Sequence, residues 1–190
     1  MKDDKTNRKV KYTKMVLKES LIKLLQKKAI SRITITELCE EADVNRATFY
    51  KHYTDQFDLL KRIEQELVED INKYLDNFPF NENESESLQM MEKLFDYIKE
   101  NGDMCAVLLS ESGDRNFQKD VLLIVERKCI AEWTMKKSVN KEVAEYLYSY
   151  ATNGSIGIIL KWFEDGMQRS THEMAEMVIG LTNQGLSAFV

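Results

Sequence analysis

Residues Ile33 to Leu60 read ITITELCEEADVNRATFYKHYTDQFDLL, and this stretch decides the fold. Thr34, followed three residues later by Glu37, has the spacing of a capping box, in which hydroxyl and carboxylate each satisfy a backbone N–H orphaned at a helix start. Ile35, Leu38, Cys39 and Ala42 then recur at helical spacing and give that helix one small apolar face. Asp43 and Val44 end it. Asn45, a competent N-cap, opens a second helix expected to reach about Tyr53, and Asp55 is placed to cap a third.

The second helix carries most of the functional information. At about 100° per residue, Phe49 and Tyr53 fall within roughly 40° of one another and point inward. Ala47, Thr48, Tyr50, Lys51 and His52 are left on the outward arc, and Arg46 joins them in the first turn. That arc bears hydroxyls, cations and an imidazole, and no acid. Short side chains permit close approach to a major groove, while Arg and Lys suit phosphates and guanine edges.

From Ala42 to Leu60 the chain, ADVNRATFYKHYTDQFDLL, resembles the N-terminal signature of TetR-type transcriptional regulators. In that signature a small residue, a hydrophobe, a cap and an aromatic run form the turn and recognition helix. The likeness extends over about fifty residues, from Tyr12 to Arg62. It implies base or groove contacts for Arg46, Ala47, Thr48 and Lys51, with Tyr50 and His52 on phosphates or neighbouring bases. Thr34, Thr36 and Asn45 complete the expected DNA-binding set. Two positions depart from the pattern. Asp43 stands where the family usually has glycine, and Asp tolerates the left-handed conformation better than most residues. Gln56 replaces a lysine that binds a phosphate in many members.

Upstream, Met15, Val16, Leu17, Leu21, Ile22, Leu24 and Leu25 form the apolar face of a helix over about Tyr12–Lys27. Lys14, Lys18 and Lys23 lie on its other faces, within reach of a DNA backbone. The first ten residues read as a mobile basic arm. Downstream, Leu60, Ile63, Leu67, Ile71, Tyr74 and Phe78 describe a helix of about 23 residues, roughly 35 Å long, which Pro79 stops. Such a helix would act as a lever between head and body. Residues 81–87, NENESES, read as a loop. Further helices are expected over about 88–101 (stopped by Gly102), 104–110, 117–136, 141–165 (ended by Gly166) and 171–189, with ESGDRN as a turn.

Few glycines, one proline and abundant Leu, Lys, Glu and Met mark an all-α protein. We divide it into a helix-turn-helix head of three helices, residues 1–62, and a helical ligand-binding and dimerisation domain, residues 63–190. The head holds 15 Lys and Arg against 9 Asp and Glu, the remainder 12 against 23, so a net charge of −5 hides +6 and −11. A basic reader on an acidic body is the pattern of a polyanion-binding head.

The N-terminal residues lack the apolar core of a signal peptide, and no stretch has the roughly 18 apolar residues of a membrane span, so a cytoplasmic location is expected. Cys39, Cys105 and Cys129 have neither disulfide nor zinc spacing and read as small core hydrophobes. No cofactor is expected. His52 and His172 are far apart, and no phosphate loop, nucleophile elbow or metalloprotease motif occurs, which argues against an enzyme.

In Ile156–Phe163 only Lys161 is polar, so that helix needs partners on more than one side. Gly154 and Gly157, with Met174, Met177, Val178, Leu181, Gly185 and Ala188 of the last helix, suit a four-helix homodimer interface, a mode the resemblance also implies. A dimer would read an inverted-repeat operator in duplex DNA. Tyr97, Met104, Trp133, Tyr150 and Trp162, with Met135, Tyr146, Tyr148 and Phe163, are the candidate walls of a pocket. The resemblance implies that an unknown small-molecule effector binds there and makes the protein a ligand-responsive repressor. The alternative is a helical ligand-binding or docking module that has lost DNA reading, which Asp43 and Gln56 keep in play.

Overall fold

The computed structural model describes residues 2–76, 84–109, 117, 121 and 140–187. All regular structure among these residues is helical, and the chain divides into two compact units, Met1–Leu67 and Val68–Val190. No helix among them is long and apolar enough to cross a membrane.

In the first unit, α1 (Lys2–Leu25) leads through a short 3-10 turn, Ile30–Arg32, to α2 (Ile35–Glu41) and α3 (Arg46–Phe49), and α4 (Gln56–Asp76) begins its last segment. α1 packs on α2, and α2 on α3. The core is Leu17, Leu21, Ile22, Leu24, Ile33, Leu38, Cys39, Phe49, Tyr53, Leu59, Ile63 and Leu67, all buried. Met15, expected on the apolar face of α1, is exposed; Leu59 rather than Leu60 is the buried leucine at the start of α4. The expected basic arm is helical from Lys2. Its polar sequence lacks the apolar stripe that signals a helix, yet it also lacks glycine or proline to break one.

α2 ends in a Schellman motif: Asp43 N–H donates to the Glu40 carbonyl at 3.2 Å and Val44 N–H to Cys39 at 2.9 Å. The motif needs a left-handed residue, and Asp43 supplies it at φ 49°. α3 is shorter than its expected span of Asn45–Tyr53. After Phe49 the chain tightens: Lys51 N–H reaches Thr48 O at 3.3 Å and His52 N–H reaches Phe49 O at 2.9 Å, both three-residue bonds.

The second unit contains the rest of α4, α5 (Glu84–Glu100), α6 (Gly102–Leu109), α7 (Lys141–Glu164) and α8 (Thr171–Ser187). α5 and α8 make the most extensive packing, and α7 lies against α6 and α8. Trp162 of α7 meets Phe95 of α5 edge to face at 5.6 Å and donates its indole N–H to the Arg169 carbonyl at 3.1 Å. The buried indole N–H thus finds a partner.

Residues 84–87, expected in a loop, form the first turn of α5. Four acidic or hydroxyl residues suit a helix N-terminus as well as a loop, and composition alone does not separate the two. α5 ends at Glu100, beside the stop expected at Gly102, but Gly102 also opens the next helix. It is buried as the first residue of α6, where an added Cβ would lie 3.1 Å from Met167 Cε, so its role is close approach. Gly166 ends α7 as expected, at φ 68°, in a second Schellman motif with Gly166 N–H on Phe163 O and Met167 N–H on Trp162 O. α8 opens with a capping box: Glu173 N–H donates to Ser170 Oγ at 3.2 Å, and Ser170 N–H to Glu173 Oε2 at 2.8 Å. Pro79, the ESGDRN turn, Cys129, Met135, Ala188 and most of the helix expected over 117–136 lie outside the described residues.

Two substitutions test this account of the head. Phe49→Ala removes a ring with no exposed surface and is expected to destabilise the head by about 3–5 kcal/mol in chemical denaturation. Asp43→Gly relieves the left-handed strain and is expected to raise stability by about 1 kcal/mol in the same measurement.

Candidate nucleic-acid interface

The reading surface starts from the cap of α3. Asn45 Oδ1 accepts the Ala47 N–H at 2.8 Å, which fixes where the helix begins and presents Arg46 at its first position. Phe49 is buried against Tyr53, with ring centroids 5.7 Å apart, and Tyr50 packs its edge on Phe49 at 5.5 Å. Burying one aromatic face turns the opposite face outward. Arg46, Ala47, Tyr50 and Lys51 are accordingly exposed, and Thr48 and His52 are half-buried.

α2 contributes a second edge. Thr34 Oγ1 accepts the Glu37 N–H at 3.2 Å and caps the helix, leaving Thr34 and Thr36 exposed at its start. The Lys28 ammonium bonds Glu37 Oε2 at 2.6 Å and holds that carboxyl below its usual range, with the Thr34 backbone N–H also contributing. Lys18 pairs with Glu66 at 3.3 Å and Lys23 with Glu41 at 3.7 Å. Two of the three lysines expected to face a DNA backbone are thus engaged within the head; Lys14 is exposed. These pairs lie at the surface and each contributes little to stability.

The start of α4 is capped by its own acids. Asp58 N–H donates to Asp55 Oδ1 at 2.8 Å, and Thr54 N–H to Asp58 Oδ2 at 3.1 Å. Gln56, in place of a cation, is half-buried there. This end of the reader presents carboxylates where a phosphate would need donors.

All nine residues expected to contact DNA lie in the first unit, and none is buried: Thr34, Thr36, Asn45, Arg46, Ala47, Thr48, Tyr50, Lys51 and His52. Four of the five expected pocket residues lie among the described residues. Tyr97 is half-buried on α5 with its hydroxyl donating to Asp70 Oδ2 at 3.3 Å, Met104 and Trp162 are core residues, and Tyr150 is 75% exposed on α7. Trp133 lies outside the described residues. The lysine–glutamate pairs were missed from sequence because their partners are 9 to 48 residues apart. The Ser170–Glu173 box was legible in its S-x-x-E spacing and was not read.

Cys39 and Cys105 are buried and in no disulfide, and burial pushes the Cys39 thiol above its ordinary pKa. Both fit the core role expected of them. Among the described residues no group of His, Cys, Asp and Glu is arranged to hold a metal ion.

A family model described as a transcriptional regulator C-terminal region, of the TetR type, matches residues 85–184. The HTH-type transcriptional regulator YxbF of Bacillus subtilis (strain 168) is 24% identical over 178 residues, covering 88% of this chain and 44% of that protein. The chain therefore spans less than half the length of this relative. Two solved structures share the fold. A TetR transcriptional regulator from Streptococcus agalactiae 2603V superposes with a TM-score of 0.64 at 20% identity, covering 93% of this chain and 97% of that one. The fatty acid degradation regulator FadR from Bacillus halodurans does so with a TM-score of 0.71 at 11% identity, covering 92% and 96%. With its C-terminal region matched over more than half its length and its all-helical fold shared with these regulators, the chain belongs to the TetR family of helix-turn-helix transcriptional regulators, and not to an enzyme family.

Proposed function

We propose that this regulator binds an inverted-repeat operator as a homodimer and acts as a ligand-responsive repressor. The observation that carries the DNA half of this reading is the outward arc of α3 and the turn after it, where Arg46, Tyr50 and Lys51 stand exposed beside half-buried Thr48 and His52, with no acid on the arc. Arg46 and Lys51 are the cations that suit guanine edges and phosphates; the hydroxyls and the Ala47 methyl suit close approach to bases. Asp43 supports the reading, since its left-handed backbone completes the turn that a glycine would make.

Pairing is supported by an unpartnered apolar line on the last two helices. On α7, Tyr146 and Tyr150 are 74% and 75% exposed, and Gly154 and Gly157 continue the line with nothing within 4 Å of where a Cβ would stand. On α8, Met177 and Leu181 are exposed beside them in type. Two copies pairing through these helices would set two readers on half-sites about 34–36 Å apart or somewhat more. We assign effector control to the helical body. α4 runs unbroken from Gln56 to Asp76, and its distal half is bonded through Asp70 to Tyr97. A ligand would act on DNA binding only through different affinities for two head spacings.

The carrying experiment is selection of bound fragments from random duplex DNA, followed by affinity measurements at two salt concentrations. A palindromic consensus is expected, with affinity falling steeply as salt rises. Absence of binding at both concentrations favours the docking module. Arg46→Ala is expected to cost about 1–3 kcal/mol and to relax preference at one half-site position; an unchanged consensus removes it from the reading set. Leu181→Glu places a charge on the pairing face without disturbing the core. Sedimentation is expected to show dimer dissociation strengthened at least tenfold, about 1.4 kcal/mol.

A further inference from the structure

His172 stands in the first turn of α8 with a carboxylate on each ring nitrogen. Nδ1 lies 3.1 Å from Glu92 Oε2 on α5, and Nε2 lies 3.4 Å from Glu176 Oε1, one turn along α8. A neutral imidazole has one N–H and one bare lone pair, so it satisfies one carboxylate and turns electron density toward the other. Only the imidazolium donates to both. The geometry therefore specifies the protonated ring. The carboxylates approach opposite edges of that ring, which leaves no common point for a cation.

We propose that His172 is a proton-operated latch that fastens the first turn of α8 to α5, closed while the ring is charged and released when it loses its proton. The groups acting on the ring are Glu92 from α5 and Glu176 from α8 itself, and they raise its pKa above the ordinary histidine value, the Glu92 hydrogen bond foremost. Glu173 of the same turn bonds Ser170, pairs with Arg169 and also feels the charge of the ring. Because the folded pKa lies above the unfolded one, the stabilisation is fully present below the unfolded value. It is lost as pH rises through the folded value.

The latch holds a helix that matters to assembly. At about 100° per residue, His172 and Glu176 occupy one flank of the buried face formed by Met174, Ala175 and Val178, while Met177 and Leu181 occupy the other. Releasing the first turn of α8 would let that end of the helix shift while the packed remainder holds, moving the near end of the apolar line, a consequence that rests on the pairing reading; the latch itself does not.

NMR titration of the full chain tests it, with His172→Gln identifying the ring resonance. His172 is expected to titrate above 6.5, and Glu92→Gln to move it down toward that value, more than Glu176→Gln does. Amide protection in the first turn of α8, taken as the exchange rate relative to the intrinsic base-catalysed rate at the same pH, is expected to fall between pH 6 and pH 8.5 in the wild type and to stay constant in His172→Gln. A ring titrating at or below 6.5, or one unmoved by Glu92→Gln, overturns the latch. Sedimentation at the same two pH values separates the ideas, because a chain monomeric at both removes the pairing reading and leaves the ring titration to judge the latch.

Discussion

Phe49 has no exposed surface, and the helix that carries it is four residues long. In so short an element the burial of one side chain fixes the azimuth of all the others. The ring is held between Tyr53 and the rest of the head core, so Arg46, Ala47, Tyr50 and Lys51 have no direction left but outward. Burying such a side chain is worth about 1.5–3 kcal/mol, more than any exposed ion pair of this head contributes. Hydrophobic packing therefore aims the polar surface that we propose meets the operator.

The turn before that helix shows how one backbone requirement is met by two chemistries. α2 and α7 both end in a Schellman motif, with Asp43 at φ 49° in the first and Gly166 at φ 68° in the second. Glycine adopts this conformation freely, whereas aspartate does so with strain. The same hydrogen-bond pattern forms in both places. What differs is charge: Asp43 leaves an exposed carboxylate three residues before Arg46, at the mouth of the reader.

The head was legible because its signals are local. Thr34 and Glu37, Asn45, Asp55 and the Phe49–Tyr53 spacing each act within five residues, and each performs the capping or packing role that its spacing implies. Local signals also misled. Polar residues ahead of Tyr12 and in 84–87 resemble arm and loop by composition, yet they are helical because nothing in them opposes it. Gly102 looked like punctuation and is a contact, since the methionine that needs the space is 65 residues away in Met167. Tyr150 stands exposed for a related reason: aromatic residues at helical spacing do not reveal which flank of a long helix is covered. Lys28 with Glu37 and His172 with Glu92 lie beyond any pattern in the chain itself.

The reading surface is stiff at one end and compliant at the other. Arg46 sits beside a side-chain cap of 2.8 Å and an unbroken helical turn. Lys51 lies where the α-helix has given way to tighter bonds, and its own amide is held by a single long one of 3.3 Å. Re-aiming Lys51 by a fraction of an ångström disturbs little, while moving Arg46 disturbs the cap. On meeting a duplex, the arginine would serve as the fixed pin of a calliper and the lysine as its adjustable jaw, tolerating variation in groove width at one end of the half-site while refusing it at the other.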